Sequence, residues 1–327
     1  MKTRTLGKDL TVSAVGLGCM GFTHAYGVPS DYDAAKRTIE ESLDFGYTFY
    51  DTAECYTGEN PDGSISYNEI LVGDALKNHR HEVKIATKFG VHHSPNGLLT
   101  DSRPETIRTS IEESLKKLQT DYVDLYYQHR IDPKIPAEEV AGVMGELIQE
   151  GKILHWGISE TTEEYLRKAH AVCPVTCIQN RYSMMARWDS LFPVLEELKV
   201  GYVAFSPLAN GTLTSGYKPG ETFEKGDYRS FMPQYTEEGY RENEKLISYL
   251  QSLAEGKGAT IAQISLAWMM AKKPYIVPIP GSRKLERLKE NAKAADISLT
   301  NEEVTQIDNQ LNQIKTSGVF GGSAVRK

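Results

Sequence analysis

The sequence predicts a closed barrel of eight parallel strands, each followed by a helix, which is the (β/α)8 or TIM barrel. Short apolar runs alternate with stretches of helical spacing along the whole chain, and the runs number eight. The length of 327 residues is ordinary for one such barrel, whereas an open parallel sheet more often has fewer strands or a second domain. We therefore expect a single α/β domain spanning residues 1–327.

The predicted strands are apolar runs bounded by polar or glycine-containing segments. Residues Lys2–Val12 predict a small β-hairpin before the barrel begins. The barrel strands are predicted at Val15–Gly18, Thr48–Asp51, Val83–Lys88, Val123–Gln128, His155–Ser159, Cys177–Asn180, Tyr202–Ser206 and Ile276–Pro280.

The predicted helices fill the gaps between these strands. The first begins at Ser30-Asp31 and ends near Gly46, and the third begins at Pro104, where apolar residues recur every three or four positions. Further helices are predicted at Ala137–Glu150, Glu163–Val172, Asp189–Leu198, Glu242–Lys257 and Ser282–Ala292, with Asn301–Gln313 as an additional C-terminal helix. The segment Pro207–Arg241 is too long for an ordinary connection, and such segments are commonly functional.

Composition argues against several classes of protein. A net charge of −7 is the wrong sign for duplex nucleic acid, although a local positive pocket for phosphate is compatible with it. No run reaches the roughly 20 apolar residues of a membrane helix, and the N-terminus lacks the apolar core of a signal peptide. The four cysteines fit ordinary reduced usage, so we expect a cytoplasmic protein.

A glycine motif follows the first predicted strand. Gly16-Leu17-Gly18-Cys19-Met20-Gly21 matches the G-x-G-x-x-G pattern of Rossmann dehydrogenases, but that site needs a helix beginning at the third glycine. Here Phe22–Pro29 is turn-like and the next helix begins near Asp31. We expect these glycines to let the chain approach a ligand closely, and a Rossmann dehydrogenase is a distant alternative.

Four polar residues follow apolar runs in the first 130 positions. Asp51, Lys88 and His129 stand at the ends of the second, third and fourth predicted strands, and Tyr56 lies just beyond Asp51. On a barrel they would meet at the C-terminal face, where barrel enzymes have their active sites. The alternative is a structural Asp51–Lys88 ion pair with Tyr56 and His129 as ordinary polar residues at the rim.

Together these residues can form an acid catalyst for carbonyl reduction. Tyr56 can donate a proton to a carbonyl oxygen that accepts hydride. Free tyrosine titrates near pH 10, so we expect Lys88 to lower the pKa of Tyr56 and Asp51 to hold the Lys88 ammonium. His129 would hydrogen-bond the carbonyl oxygen and orient it.

The order and context of these residues resemble the aldo-keto reductase superfamily. The matching segments are Asp51-Thr52-Ala53 with Tyr56, Ala86-Thr87-Lys88, Gln128-His129, Gly157-Ile158-Ser159, Gln179-Asn180, Phe205-Ser206-Pro207-Leu208 and Pro278-Ile279-Pro280-Gly281-Ser282. The resemblance covers essentially the whole chain, and His129–Pro133 and Glu150–Ile153 are most similar to the microbial and plant branch that includes pyridoxal reductases. It implies an oxidoreductase that reduces aldehydes or ketones to alcohols with NADPH.

The resemblance also implies where the nicotinamide end of the cofactor lies. Ser159 and Gln179 would hydrogen-bond the carboxamide, and Phe205 would stack on the ring. Glu160 stands where many relatives have Asn, and Phe205 where many have Tyr. Glu160 can still accept from the carboxamide, and Phe205 still supplies an aromatic face.

The phosphates are expected near the end of the eighth strand. Gly281-Ser282-Arg283 is predicted to open a helix there, and a helix N-terminus favours phosphate. By resemblance Arg283 and Arg287 would bind the 2′-phosphate of NADPH, with Glu290 and Asn291 at the adenine; without the motif these charges could equally be a solvated face.

The segment from Pro207 would fold over the pyrophosphate and gate cofactor exchange. The remaining cofactor residues implied are Met20, Asp51, Ser206, Pro207, Leu208 and Gly211.

Partners other than a small carbonyl substrate are not indicated. The sequence carries no metal motif, since His81-Glu82 lacks the second histidine of a zincin and His92-His93 is expected to be solvated. A nucleotide-binding regulatory subunit, as the potassium-channel β subunits of this superfamily are, is the alternative function. The substrate and the oligomeric state are not determined by the sequence, although Met20, Phe22 and Trp188 are candidates to line an apolar pocket.

Overall fold

The computed structural model describes residues 1–94 and 97–322. Its strands, in chain order, are β1 (Thr3–Leu6), β2 (Leu10–Ser13), β3 (Leu17–Gly18), β4 (Phe49–Asp51), β5 (Thr57–Glu59), β6 (Ile65–Tyr67), β7 (Lys84–Phe89), β8 (Val91–Ser94), β9 (Gly97–Thr100), β10 (Val123–Gln128), β11 (Ile153–Ser159), β12 (Cys177–Arg181), β13 (Gly201–Phe205) and β14 (Ile276–Pro278). Its α-helices are α1 (Tyr32–Ser42), α2 (Asn68–Leu76), α3 (Pro104–Leu118), α4 (Ala137–Gln149), α5 (Glu163–Val172), α6 (Phe192–Leu198), α7 (Glu237–Lys257), α8 (Ile261–Lys272), α9 (Leu285–Ala292) and α10 (Asn301–Gln313).

Eight parallel strands of the described chain form one sheet, which confirms the predicted (β/α)8 barrel. The order in the sheet is β3-β4-β7-β10-β11-β12-β13-β14, so each barrel strand lies beside the next one along the chain. The first and last strands meet where the amide of Gly16 donates to the carbonyl of Pro278 at 2.9 Å. The sheet therefore closes on itself.

Glycines allow the two strands at this closure to approach each other. A Cβ on Gly18 would lie 2.7 Å from the carbonyl oxygen of Ile279, and one on Gly281 would lie 2.5 Å from the carbonyl oxygen of Gly18. Met20–Phe22 is a single 3-10 turn, so no helix opens at Gly21 as a Rossmann site requires. The glycine motif thus belongs to the closure of the barrel.

The N-terminal hairpin plugs one end of the barrel. Strands β1 and β2 pair antiparallel, and their side chains Leu6, Leu10 and Val12 are buried against the barrel interior. The interior residues they join are Phe49, Ala86, Leu125, Tyr127, Cys177, Val203, Val277 and Ile279. A larger apolar layer lies between the sheet and the surrounding helices. With one end closed, the opposite C-terminal face is left for a site.

Several element boundaries differ from those the sequence predicts. The last strand ends at Pro278 rather than Pro280, because Pro280 has no N–H to extend the ladder. The final barrel helix begins at Leu285, not at Ser282, because the Ser282 hydroxyl accepts the Lys284 amide (3.1 Å) in a local turn. The sequence interpretation missed α8 entirely, because this helix is buried all round and has no polar face.

Irregular segments cover the C-terminal face. The predicted long loop Pro207–Arg241 contains the short 3-10 turns Ala209–Gly211, Tyr228–Phe231 and Pro233–Tyr235. Helix α7 begins at Glu237, before Arg241, where the loop was predicted to end. Two small hairpins, β5–β6 and β8–β9, rise from the same face. Among the residues described, none of the helices has the length and apolarity needed to cross a bilayer.

Candidate active site

The four predicted catalytic residues come together at the C-terminal face. Asp51 ends β4, Lys88 lies near the end of β7, His129 follows β10, and Tyr56 lies between β4 and β5. The Lys88 ammonium donates to the Asp51 carboxylate at 2.5 Å and lies 3.4 Å from the Tyr56 hydroxyl. The strand order therefore brings residues far apart in sequence into one constellation.

Lys88 is buried but electrostatically compensated. Its side chain has no solvent exposure, and besides Asp51 it donates to the Thr52 carbonyl at 2.7 Å. The second Asp51 oxygen accepts from the Gln179 amide, also at 2.7 Å. Burial alone would lower the pKa of Lys88, but its interactions with the Asp51 carboxylate and the Tyr56 hydroxyl outweigh burial and raise it. Lys88 is therefore a fixed positive charge beside the Tyr56 hydroxyl.

The expected lowering of the Tyr56 pKa is not found. Burial raises the pKa of Tyr56 to about 12, against the opposing pull of the Lys88 ammonium. The Asp51 carboxylate cancels part of that pull, because it lies beside the same ammonium. Tyr56 is therefore fully protonated at neutral pH and is available as a proton donor.

His129 is neutral at the same site. Burial, followed by the charges of Arg130 and Lys88, lowers its pKa well below the ordinary value. Its Nδ1 lies 3.5 Å from the Cys55 sulfur, and its ring packs edge-on to that of Tyr56 with centroids 5.6 Å apart. A neutral imidazole can act as a single hydrogen-bond donor to an oxygen placed next to Tyr56.

A cavity of about 520 Å³ opens above Tyr56 and His129. Most of the predicted cofactor residues line it, namely Met20, Asp51, Ser159, Gln179, Phe205, Ser206, Pro207, Leu208, Gly211, Gly281, Ser282, Arg283, Arg287 and Asn291. Glu160 and Glu290 do not line it. Glu160 faces Arg181 at 3.9 Å, and Glu290 accepts from Arg287 at 2.8 Å. The cavity lining therefore includes residues at the ends of strands on opposite sides of the barrel.

The end of the cavity beyond β14 is lined by cationic side chains. Arg283 donates to the carbonyls of Gly21 (2.5 Å) and Val28 (3.0 Å), which fixes its guanidinium. Its Nη2 is buried and makes no hydrogen bond within the described residues, and Arg287 lines the cavity beside it. A buried cationic donor without a partner is costly, so a phosphate oxygen would fit this position.

Two paired segments, residues 25–26 and residues 227–229, form a belt across the cavity. Tyr26 forms an antiparallel bridge with Asp227, and the Tyr228 amide donates to the Ala25 carbonyl at 2.9 Å. The Asn210 amide donates to the Tyr26 hydroxyl at 3.1 Å, and Asp227 holds Arg229 over the Tyr26 ring. The loop after β13 is thereby tied to the loop after β3 across the cavity.

Sequence reasoning missed the residues at the mouth of the cavity. His24 lies with its ring centroid 4.7 Å from that of His93 and 5.7 Å from that of Tyr228. His93 is exposed, as expected from the sequence, but it also lines the cavity, as do Arg130 and Phe320. These residues come from separate loops and the C-terminal segment, so no sequence spacing connects them. Of the other apolar candidates, Phe22 lies in the core and Trp188 is 38% exposed, and neither lines the cavity.

Comparison with known proteins agrees with this geometry. Residues 14–312 match the family model described as "Aldo/keto reductase family". The aldo-keto reductase str7 of Strobilurus tenacellus is 37% identical over 319 residues, which cover 94% of this chain and 91% of that protein.

Solved structures are similar over nearly the full length. The glycerol dehydrogenase of Gluconobacter oxydans superposes with a TM-score of 0.84 at 29% identity, covering 95% of both chains. An aldo/keto reductase from Klebsiella pneumoniae in complex with NADP and acetate has a TM-score of 0.70 at 26% identity, covering 95% of this chain and 96% of that one. With the family match spanning residues 14–312 and a relative 37% identical over 319 residues, this chain belongs to the aldo/keto reductase family of oxidoreductases.

Proposed function

We propose that the protein reduces the carbonyl group of small aldehydes or ketones to an alcohol with NADPH, with Tyr56 as general acid. One observation carries the proposal. The Tyr56 hydroxyl lies 3.4 Å from the buried Lys88 ammonium, in a cavity that His129 also lines. A bound nicotinamide cofactor supplies the hydride, and the side chains around the cavity bind the substrate, orient it and supply the proton.

Tyr56 is suited to donating a proton as negative charge develops on the substrate oxygen. It is protonated at neutral pH, because burial keeps its pKa at about 12. As the proton leaves, the phenolate that forms is stabilised by Lys88, which in turn is held by Asp51. The interaction between the Tyr56 oxygen and the Lys88 ammonium thus strengthens during the reaction. Only interactions that are stronger in the transition state than in the ground state accelerate a reaction. Neutral His129 donates a second hydrogen bond to the same oxygen.

The cavity offers matching partners for the cofactor. At the catalytic end, Ser159 and Gln179 would hydrogen-bond the carboxamide and Phe205 would offer an aromatic face. At the far end, Arg283 and Arg287 would bind the 2′-phosphate. Glu290 and Glu160 lie outside the lining, so we do not assign them direct contacts.

The NADPH preference rests on Arg283 and can be tested there. Arg283→Ala removes a charged donor whose Nη2 lacks a partner, and a charge-assisted hydrogen bond contributes about 1.5 to 3 kcal/mol. We expect the Kd for NADPH to rise about tenfold to a hundredfold, with little change for NADH. Fluorescence titration measures both, and the control is Lys289→Ala, which removes an exposed charge of α9 that does not line the cavity. Equal losses for the two cofactors would contradict the assignment.

The activity itself is tested by turnover. Purified protein should oxidise NADPH when aliphatic and aromatic aldehydes, ketones and pyridoxal are added, with one alcohol formed per NADPH consumed. A regulatory nucleotide-binding subunit would bind NADPH and oxidise it negligibly across the whole panel. Absence of turnover with every substrate would overturn the proposal. The single-domain organisation and the cytoplasmic location stay predictions.

A further inference from the structure

His24 is a polar residue of the cavity mouth that the proposed mechanism does not use. It lies in the loop after β3 and lines the cavity, with its ring 6.0 Å from that of Tyr56 and nearly parallel to it. The rings of His93 and Tyr228 pack against its other sides. Its position is therefore fixed by three neighbours, beside the proposed proton donor.

The hydrogen bonding of His24 fixes its tautomer. Nδ1 lies 2.8 Å from the backbone carbonyl oxygen of Thr57. A carbonyl oxygen can only accept, so Nδ1 carries the proton. Burial lowers the pKa of His24, against the opposing effect of Thr57, so the ring is neutral at pH 7. Nε2 is then an unprotonated acceptor, and it makes no hydrogen bond within the described residues.

We propose that Nε2 of His24 accepts a hydrogen bond from a hydroxyl group on the substrate, so that the enzyme selects hydroxylated aldehydes and ketones. The inference rests on the proposed carbonyl reduction, because the substrate carbonyl must lie at Tyr56 and His129. The lining of the same cavity supports this conclusion, since Val91, Leu98, Tyr228 and Phe320 are apolar or aromatic. A hydroxyl entering these surroundings needs an acceptor, and His24 supplies one.

The selectivity arises chiefly because substrates without a hydroxyl donor bind less favourably next to Nε2 of His24. A bound methoxy or fluoro group in place of the hydroxyl would cover Nε2 of His24 against solvent without supplying a donor, and leaving a polar atom covered and unpaired is costly. We therefore expect kcat/KM for a hydroxylated substrate to exceed that for its methoxy and fluoro analogues by about tenfold or more.

The test compares ratios of kcat/KM in three proteins. The substrates are meta- and para-hydroxybenzaldehyde and hydroxyacetone, each paired with its methoxy and fluoro analogue. His24→Phe keeps the aromatic stack on Tyr56 and removes the acceptor, whereas His24→Gln keeps an acceptor oxygen and removes the stack. The wild type and His24→Gln should prefer at least one hydroxylated substrate over both of its analogues. His24→Phe should lose that preference to within about threefold.

Comparing these kcat/KM ratios between variants tests the role of His24 separately from carbonyl reduction itself. Intrinsic reactivity and any general loss of activity affect both members of a pair, so they cancel when ratios are compared between variants. If the wild type turns over the pairs without preference, or if His24→Phe keeps the preference, the role of His24 is overturned while carbonyl reduction stands. Failure of the wild type to reduce any of the substrates would instead overturn the proposed function.

Discussion

At the scale of single residues, the site shows a competition between burial and charge. Lys88 favours ionisation of Tyr56, but burial of the phenol and the nearby Asp51 carboxylate oppose it more strongly. The expectation of an unusually acidic phenol was therefore wrong, because a sequence gives no measure of desolvation. A general acid for reduction needs its proton in the ground state, so the raised pKa suits this direction of the reaction.

The pKa directions predict a flat pH profile for reduction. Tyr56 has a raised pKa, so it keeps its proton until the pH approaches about 12. His129 has a lowered pKa, so it stays neutral until the pH falls well below its ordinary value. We expect kcat/KM for an aldehyde to vary little between about pH 6.5 and about pH 9. Steady-state rates with saturating NADPH measure it, and a decline governed by an ionisation near neutral pH would contradict the assignment of these protonation states.

At the scale of elements, the sequence was most informative where an element has one polar face. The bounds of α5 and α10 were predicted as observed, because apolar periodicity and capping residues mark them. Helix α8 was missed because burial on all sides removes that periodicity. The start of α9 was misplaced by three residues because a serine turn precedes it.

The closure of the barrel depends on Gly281 at an element boundary. In Gly281→Ala the new Cβ would lie 2.5 Å from the Gly18 carbonyl oxygen, so backbone must shift. We expect the free energy of unfolding to fall by about 1 to 3 kcal/mol.

A matched substitution at Gly142, inside α4, provides the control. A Cβ there meets no atom within 4 Å among the described residues outside the backbone of α4, so Gly142→Ala should stabilise the protein by up to about 1 kcal/mol. Urea unfolding measures both variants, and equal effects would show that the closure does not require glycine.

At the scale of the whole molecule, topology explains why the convergence of the four proposed catalytic residues could be predicted and the mouth of the cavity could not. Parallel strands place their carboxyl ends at one face, so Asp51, Lys88 and His129 had to converge. The mouth is assembled from loops and the C-terminal segment, whose packing no local pattern specifies. His24 shows the consequence, since its partners His93 and Tyr228 are remote in sequence.

The belt across the cavity makes a prediction about cofactor exchange. Because the Tyr228 amide is bonded to Ala25 across the opening, a bound dinucleotide beneath should hold the two segments together. We expect NADPH to slow hydrogen exchange of amides in residues 209–235, while the hairpin β5–β6, which does not line the cavity, exchanges unchanged. Identical exchange of residues 209–235 with and without NADPH would show that the belt does not gate the site.

The role of Tyr56 as proton donor is tested most directly by single-turnover reduction with Tyr56→Phe protein loaded with NADPH. The substitution removes one hydroxyl from the cavity and leaves the ring in place. We expect the rate of aldehyde reduction to fall by about 10²- to 10⁴-fold while NADPH binding is retained. A Tyr56→Phe protein that binds NADPH and reduces the aldehyde at nearly the wild-type rate would contradict it.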